Sequence, residues 1–138
     1  MPFRLALAYL CAIGLFVGVW ALAFPLAFYG AFPGFGHEWV SADGPYNEHL
    51  MRDVGALNLS TGLLAGMGLL RPVLVTPFAV GVATVVYNLP HFAYHLIKLR
   101  LYAPVDQAGS VIALGTAVVA SAVLIVCDGR AIQQSAVL

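Results

Sequence analysis

Charge is what this sequence has least of. Lysine, arginine, aspartate and glutamate together make up 9% of 138 residues, six basic against six acidic, so the net charge is zero. A balance so sparse and so even leaves no basic face to track a nucleic-acid backbone and no field to steer a polyanion, which excludes nucleic acid as a partner. Cysteine is nearly absent too. Cys11 and Cys127 each sit in or at the end of an apolar run, far apart in the chain, which suits packing and not a disulfide framework. No HExxH or Cys/His metal signature, phosphate loop or dinucleotide fingerprint occurs, and Ser110 and the scattered serines and threonines lack a nucleophile setting. The chain therefore reads as non-catalytic.

What is present is hydrophobic mass. At 62% hydrophobic residues and a mean hydropathy of +0.93, the chain has too little polar surface to cover a soluble domain of its length. A bilayer core requires about 20 apolar residues per helix, because no water is available there to satisfy the backbone. Four segments approach that length and predict helices over about 4–25, 46–70, 73–98 and 108–128, with Pro77 and Pro90 inside the third. The predicted fold is all-α: a single transmembrane domain over 1–138, built as an antiparallel four-helix bundle. A competing reading of the first segment is a cleaved secretory signal, since Arg4 precedes an apolar run ending in Ala21-Leu22-Ala23. The run's length and the closely following Pro25 favour a retained helix.

Between the first two helices, Pro25, Gly30, Pro33, Gly34, Gly36, Gly44 and Pro45 alternate with Phe24, Phe28, Tyr29, Phe32, Phe35, Trp39 and Tyr46. Glycine and proline forbid a long helix, while the aromatics favour a bilayer interface. An interfacial or partly re-entrant cap is expected, with Asn47 or Ser41 as helix-entry residues. Four crossings put both termini and the Arg71 turn on one side of the membrane. Basic residues divide evenly, Arg4, Arg71 and Arg130 against Arg52, Lys98 and Arg100, so orientation rests on the dominance of the first helix. The expectation is a multi-pass plasma-membrane protein with cytoplasmic termini.

The same threading gathers the polar residues. All four histidines and five of the six acids fall on the side of the long loop, Asp128 alone on the other. Helical spacing draws two stripes: Arg52, Gly55, Asn58, Gly62 and Gly66 on the second helix, and Gly81, Thr84, Asn88, His91, His95 and Lys98 on the third. Antiparallel helices bring Asn58 and Asn88 to similar depth, and the simplest arrangement packs the two stripes together. Gly62 and Gly66 form a small-xxx-small pair that serves either this packing or a homo-oligomer.

Three uses of the polar face follow. His91 and His95, one turn apart, with His37, His49 and Glu48, are candidate ligands for copper or zinc; haem would need an axial ligand from another helix. His49, Arg52, Asp53, Asn58 and Asn88 are candidates for a quinone or other cofactor site. Thr84, Asn88, His91 and His95 could line a proton or transport path. Against all three stands the plainer reading, with no cofactor: Glu48 with Arg52 and His49 with Asp53 anchor a helix at the headgroups, where charge is cheap.

The run Arg52-Asp53-Val54-Gly55-Ala56-Leu57-Asn58-Leu59, continuing into Thr61-Gly62-Leu63-Leu64, resembles the second helix of small four-helix membrane proteins of the DoxX-like type. His91-Phe92-Ala93-Tyr94-His95-Leu96 is similar to the corresponding part of uncharacterised bacterial relatives. The likeness spans roughly residues 46–98. It implies a non-catalytic accessory or assembly subunit of a larger membrane oxidoreductase complex, with other integral membrane subunits and the lipid bilayer as partners. It assigns no catalytic residues, and the aromatic loop has no counterpart in it.

Overall fold

The computed structural model describes the backbone over residues 2–135 and side chains over residues 3–127. Among these, five α-helices dominate: α1 (Pro2–Ala23), α2 (Pro25–Ala31), α3 (Glu48–Leu70), α4 (Pro77–Lys98) and α5 (Pro104–Ser135). Three of them are long and apolar enough to cross a membrane, over Phe3–Ala23, Glu48–Leu70 and Pro104–Cys127. α4, which carries Asn88, His91, His95 and Lys98, is not among the three.

Helix boundaries follow local chemistry. Asn47 opens α3 by accepting a hydrogen bond from Leu50 N at 3.1 Å, as one of the two expected entry residues. Ser41 instead lies in a short 3-10 turn, Ser41–Asp43. The third long helix begins at Pro77 and not at Val73. Thr76 caps it, accepting from Ala79 N at 3.2 Å, and Pro77, which has no N–H to leave unpaired, takes the first position. For the same reason α5 starts at Pro104, a turn ahead of the expected start near residue 108. Pro90 stays inside α4.

The long loop folds as a cap. α2 buries Pro25 and Phe28, and two short strands, β1 (Pro33–Gly34) and β2 (His37–Glu38), pair antiparallel. Their tip turns through the left-handed region at Gly34, Phe35 and Gly36, which glycine enters at no steric cost. Phe28, Ala21 and Met51 form a small core beneath the cap, joined by Trp20 and Phe32.

α1 packs principally on α3, and α4 principally on α5, while α3 meets α4 more thinly. This corrects the expectation that the two polar stripes pack on each other. The face of α3 carrying Gly55 and Gly62 is taken by α1: a Cβ at Gly14 would stand 2.7 Å from Gly62 Cα, and one at Gly18 would stand 2.5 Å from Leu59 N. The glycines of α1 strip that helix of side chains opposite those of α3, so the two backbones come nearly into contact. The Gly62 and Gly66 spacing therefore serves a seam within the chain, Gly66 lying against Cys11. On α4, Gly81 fits against Leu124, Ile125 and Ser121 of α5. A second core, Leu7, Leu10, Ala65, Val80, Ala120 and Leu124, joins the two pairs.

Candidate functional site at the capped end

The start of α3, the ends of α1 and α4, and the start of α5 meet at one end of the bundle, under the cap. The side chains that tie them give the site its geometry. Arg52 Nη1 donates to Leu22 O at the end of α1, at 2.6 Å, while its Nε and Nη2 donate to Glu48 Oε1 at 2.9 and 2.8 Å. His37 Nδ1 lies 2.6 Å from Asp106 Oδ1 in the first turn of α5. Trp39 Nε1 donates to the same oxygen at 2.8 Å. Its indole rests on Gly109, where a Cβ would stand 2.9 Å from the ring. On the other flank, Tyr94 donates from its hydroxyl to Asp43 Oδ1 at 3.2 Å, and Tyr29 donates to Gly44 O at 2.8 Å. The cap is latched to α4 and α5 through Asp43 and Asp106.

Below the cap a column of rings runs down α4. Tyr87 and His91 stack with centroids 5.3 Å apart, and His91 and His95 meet edge to face at 4.7 Å. His95 Nδ1 is 3.0 Å from the hydroxyl of Tyr102. Burial, reinforced by the negative charge of Asp43, pushes the Tyr102 phenol up to about 12. The phenol thus stays protonated at ordinary pH. A phenol raised in the folded state and ordinary in the unfolded one contributes stability fully below about pH 10, lost as pH rises towards about 12. Tyr102→Phe is expected to lessen the alkaline decline, measured as unfolding midpoint against pH in detergent.

Deeper in the bundle the amides are engaged within the protein. Asn58 Nδ2 donates to Val54 O at 2.9 Å and to the Tyr87 hydroxyl at 3.0 Å, and Asn88 Nδ2 donates to Ser121 Oγ at 3.2 Å. Asn58 thus reaches the hydroxyl of Tyr87, the residue next to Asn88, without meeting Asn88 itself in a described hydrogen bond. Asn58→Leu should cost about 0.6 to 1.7 kcal/mol by depriving Tyr87 of its partner, read by reversible unfolding in mixed micelles.

The candidate residues separate into pairs. His91 and His95 are brought together, but His37 is with Asp106, and Glu48 is with Arg52. His49 and Asp53, 3.1 Å apart with side chains 88% and 62% exposed, form a pair on the outside of α3. Among the described residues no three histidines, cysteines or carboxylates are grouped to hold a metal ion. The quinone candidates likewise divide between Arg52, His49 and Asp53 at the surface and Asn58 and Asn88 within. The side chain of Asp128, the acid assigned to the opposite end, lies outside the described residues.

Residues not among the site candidates hold the site together: Trp39, Asp43, Tyr87, Tyr94, Tyr102, Asp106 and Ser121. One signal was available for Asp106, which precedes Gly109 by one helical turn and so offers an acceptor beside a bare patch of backbone suited to an indole. A comparison with protein-family models, with curated proteins and with solved structures finds no match to this chain.

Proposed function

We propose that the chain crosses the lipid bilayer four times and serves as a non-catalytic accessory or assembly subunit of a larger plasma-membrane complex. The observation that carries the first half is the outer surface of the long helices. Leu5 and Phe16 on α1, Leu63 and Met67 on α3, Val86 and Leu89 on α4, and Ile112 and Val119 on α5 are all exposed, forming an apolar belt that water would not tolerate at this extent. α4, which is not among the three long apolar helices, joins the belt for a topological reason. α3 runs away from the capped end, and α5 starts at that end, bonded to the cap through Asp106. α4 must therefore return across the same thickness. Its 22 residues reach about 33 Å at 1.5 Å per residue, and Asn88 and Thr84 turn their hydrogen bonds inward, to Ser121 and to the carbonyls of Val80 and Gly81.

The second half follows from how the polar groups are used. At the capped end the carboxylates Asp43, Glu48, Asp53 and Asp106 are bonded to neighbouring side chains, an arrangement suited to rigidity and not to turnover. With little mass outside the helices, function falls to lateral contact with other membrane subunits, as the DoxX-like resemblance also implies, with oxidoreductase assemblies as the kind of complex. Cytoplasmic termini complete the reading. Mild-detergent extraction of the native protein followed by size analysis tests it: a larger assembly with integral membrane partners is expected, and a lone monomer or homodimer contradicts it.

A second reading has the adjacency of His91 and His95 in its favour, as part of a metal, haem or quinone site. Elemental analysis and an absorption spectrum of the native protein separate the two. Stoichiometric metal, haem or quinone supports the second reading.

A further inference from the structure

The opposite end of the bundle holds a crevice of about 290 Å³, lined by Phe3, Arg4 and Leu7 of α1, Leu69 of α3, and Thr76 and Pro77 at the start of α4. Its volume lies near the lower limit for small-molecule sites. The walls are mainly apolar, and the hydroxyl of Thr76 already accepts from Ala79 N, which leaves the guanidinium of Arg4 as the polar group of distinctive chemistry.

Among the residues with described side chains, those charged at this end are basic. Arg4 lines the crevice, and Arg71 precedes Pro72, another of its lining residues. The described carboxylates, Glu38, Asp43, Glu48, Asp53 and Asp106, belong to the cap, the start of α3 and the start of α5, all at the capped end. Asp43 and Asp106 are bonded there to Tyr94 and Trp39. An apolar cleft between helices with a guanidinium in its wall and no described carboxylate at that end matches an anionic amphiphile: phosphate against Arg4, glycerol and upper acyl carbons against Phe3, Leu7 and Leu69.

We infer that this crevice binds one anionic phospholipid drawn from the surrounding bilayer, its phosphate paired with Arg4. The inference rests on the membrane-crossing part of the proposed function, since only a chain embedded in lipid presents this cleft to a bilayer leaflet. Bound lipid would also tie the beginning of α1 to the α3–α4 turn, at the end of the bundle opposite the cap.

The test is native mass spectrometry of the full chain reconstituted in nanodiscs of mixed phosphatidylglycerol and phosphatidylcholine, released with increasing activation. Phosphatidylglycerol is expected to be retained at one per chain, about fivefold over phosphatidylcholine, the preference that a single interfacial arginine gives. Arg4→Gln should bring the two lipids level. Leu69→Trp, which keeps the charge and fills the cleft, should lose retained lipid of both kinds. Inorganic phosphate at millimolar concentration should not displace the lipid, because it lacks the acyl part that the walls hold. Equal retention of both lipids by the unaltered protein overturns the inference, as does full retention by Leu69→Trp or displacement by free phosphate. A chain that does not enter nanodiscs at all would instead indict the membrane reading, so the two failures are told apart.

Discussion

Gly18→Val is expected to abolish the native packing of α1 on α3. A Cβ there would lie 2.5 Å from Leu59 N and 2.7 Å from its Cα, and these are backbone atoms that cannot rotate away. Overpacking a core costs about 1 to 3 kcal/mol where side chains can adjust, and this site lies at or beyond the upper end because α3 itself must move. Gly14→Val meets the backbone of Gly62 and should act alike. Two controls separate sterics from helix propensity. Gly30→Ala, with nothing within 4 Å of the added carbon, should be neutral or slightly stabilising. Gly66→Ala meets only the Cys11 sulfur at 3.1 Å and should be mild. Unfolding in detergent, followed by near-ultraviolet circular dichroism, ranks the four.

Asp106→Ala is expected to release the cap. One carboxylate oxygen serves both the indole of Trp39 and the imidazole of His37, so its removal leaves two donors without their partner. The cost is about 1 to 3 kcal/mol, borne by the cap and not by the helices. Trp39 fluorescence should shift to longer wavelength, and protease sites near the Phe35 tip should open, while helical content stays unchanged. Gly109→Leu, which occupies the seat of the indole but keeps the carboxylate, should give the same fluorescence change. If Asp106→Ala leaves both fluorescence and proteolysis as they were, the latch does not hold the cap.

The helices were legible because their signal is additive. Runs such as Leu5 to Ala23 and Val111 to Cys127 register in composition alone, and the antiparallel order follows from short connections. Helix starts were legible only where a cap was recognised. Asn47 was among the residues considered, but Thr76 ahead of Pro77 was not, and the helix was expected to begin at Val73. Pairing of helices was not legible, because it depends on which glycines oppose one another. The Gly62 and Gly66 spacing stands out on α3, but its complement, Gly14 and Gly18, lies in an unbroken apolar run where nothing marks a face.

The candidate site was half legible for a similar reason. Threading placed the histidines and carboxylates at one end, and helical spacing joined His91 to His95, Glu48 to Arg52 and His49 to Asp53. Contacts within one helix follow from the 3.6-residue period. The bonds from His37 and Trp39 to Asp106 and from Tyr94 to Asp43 join segments far apart in sequence, and they depend on how the cap folds. Phe35 at positive φ between two glycines sets the hairpin that aims His37 and Trp39, and no periodicity predicts that. The aromatic partners Tyr87 and Tyr102 were counted as apolar mass, although their hydroxyls bond Asn58 and His95.

The threading is open to one direct measurement. In a background of Cys11→Ala and Cys127→Ser, single cysteines are introduced as Ala42→Cys in the cap, Ala103→Cys before α5 and Val73→Cys between α3 and α4, and labelled with a membrane-impermeant maleimide in sealed vesicles of either orientation. Four crossings predict that Ala42→Cys and Ala103→Cys react from the same side and Val73→Cys only from the other. Reaction of all three from one side, or of Ala42→Cys and Ala103→Cys from opposite sides, would contradict it.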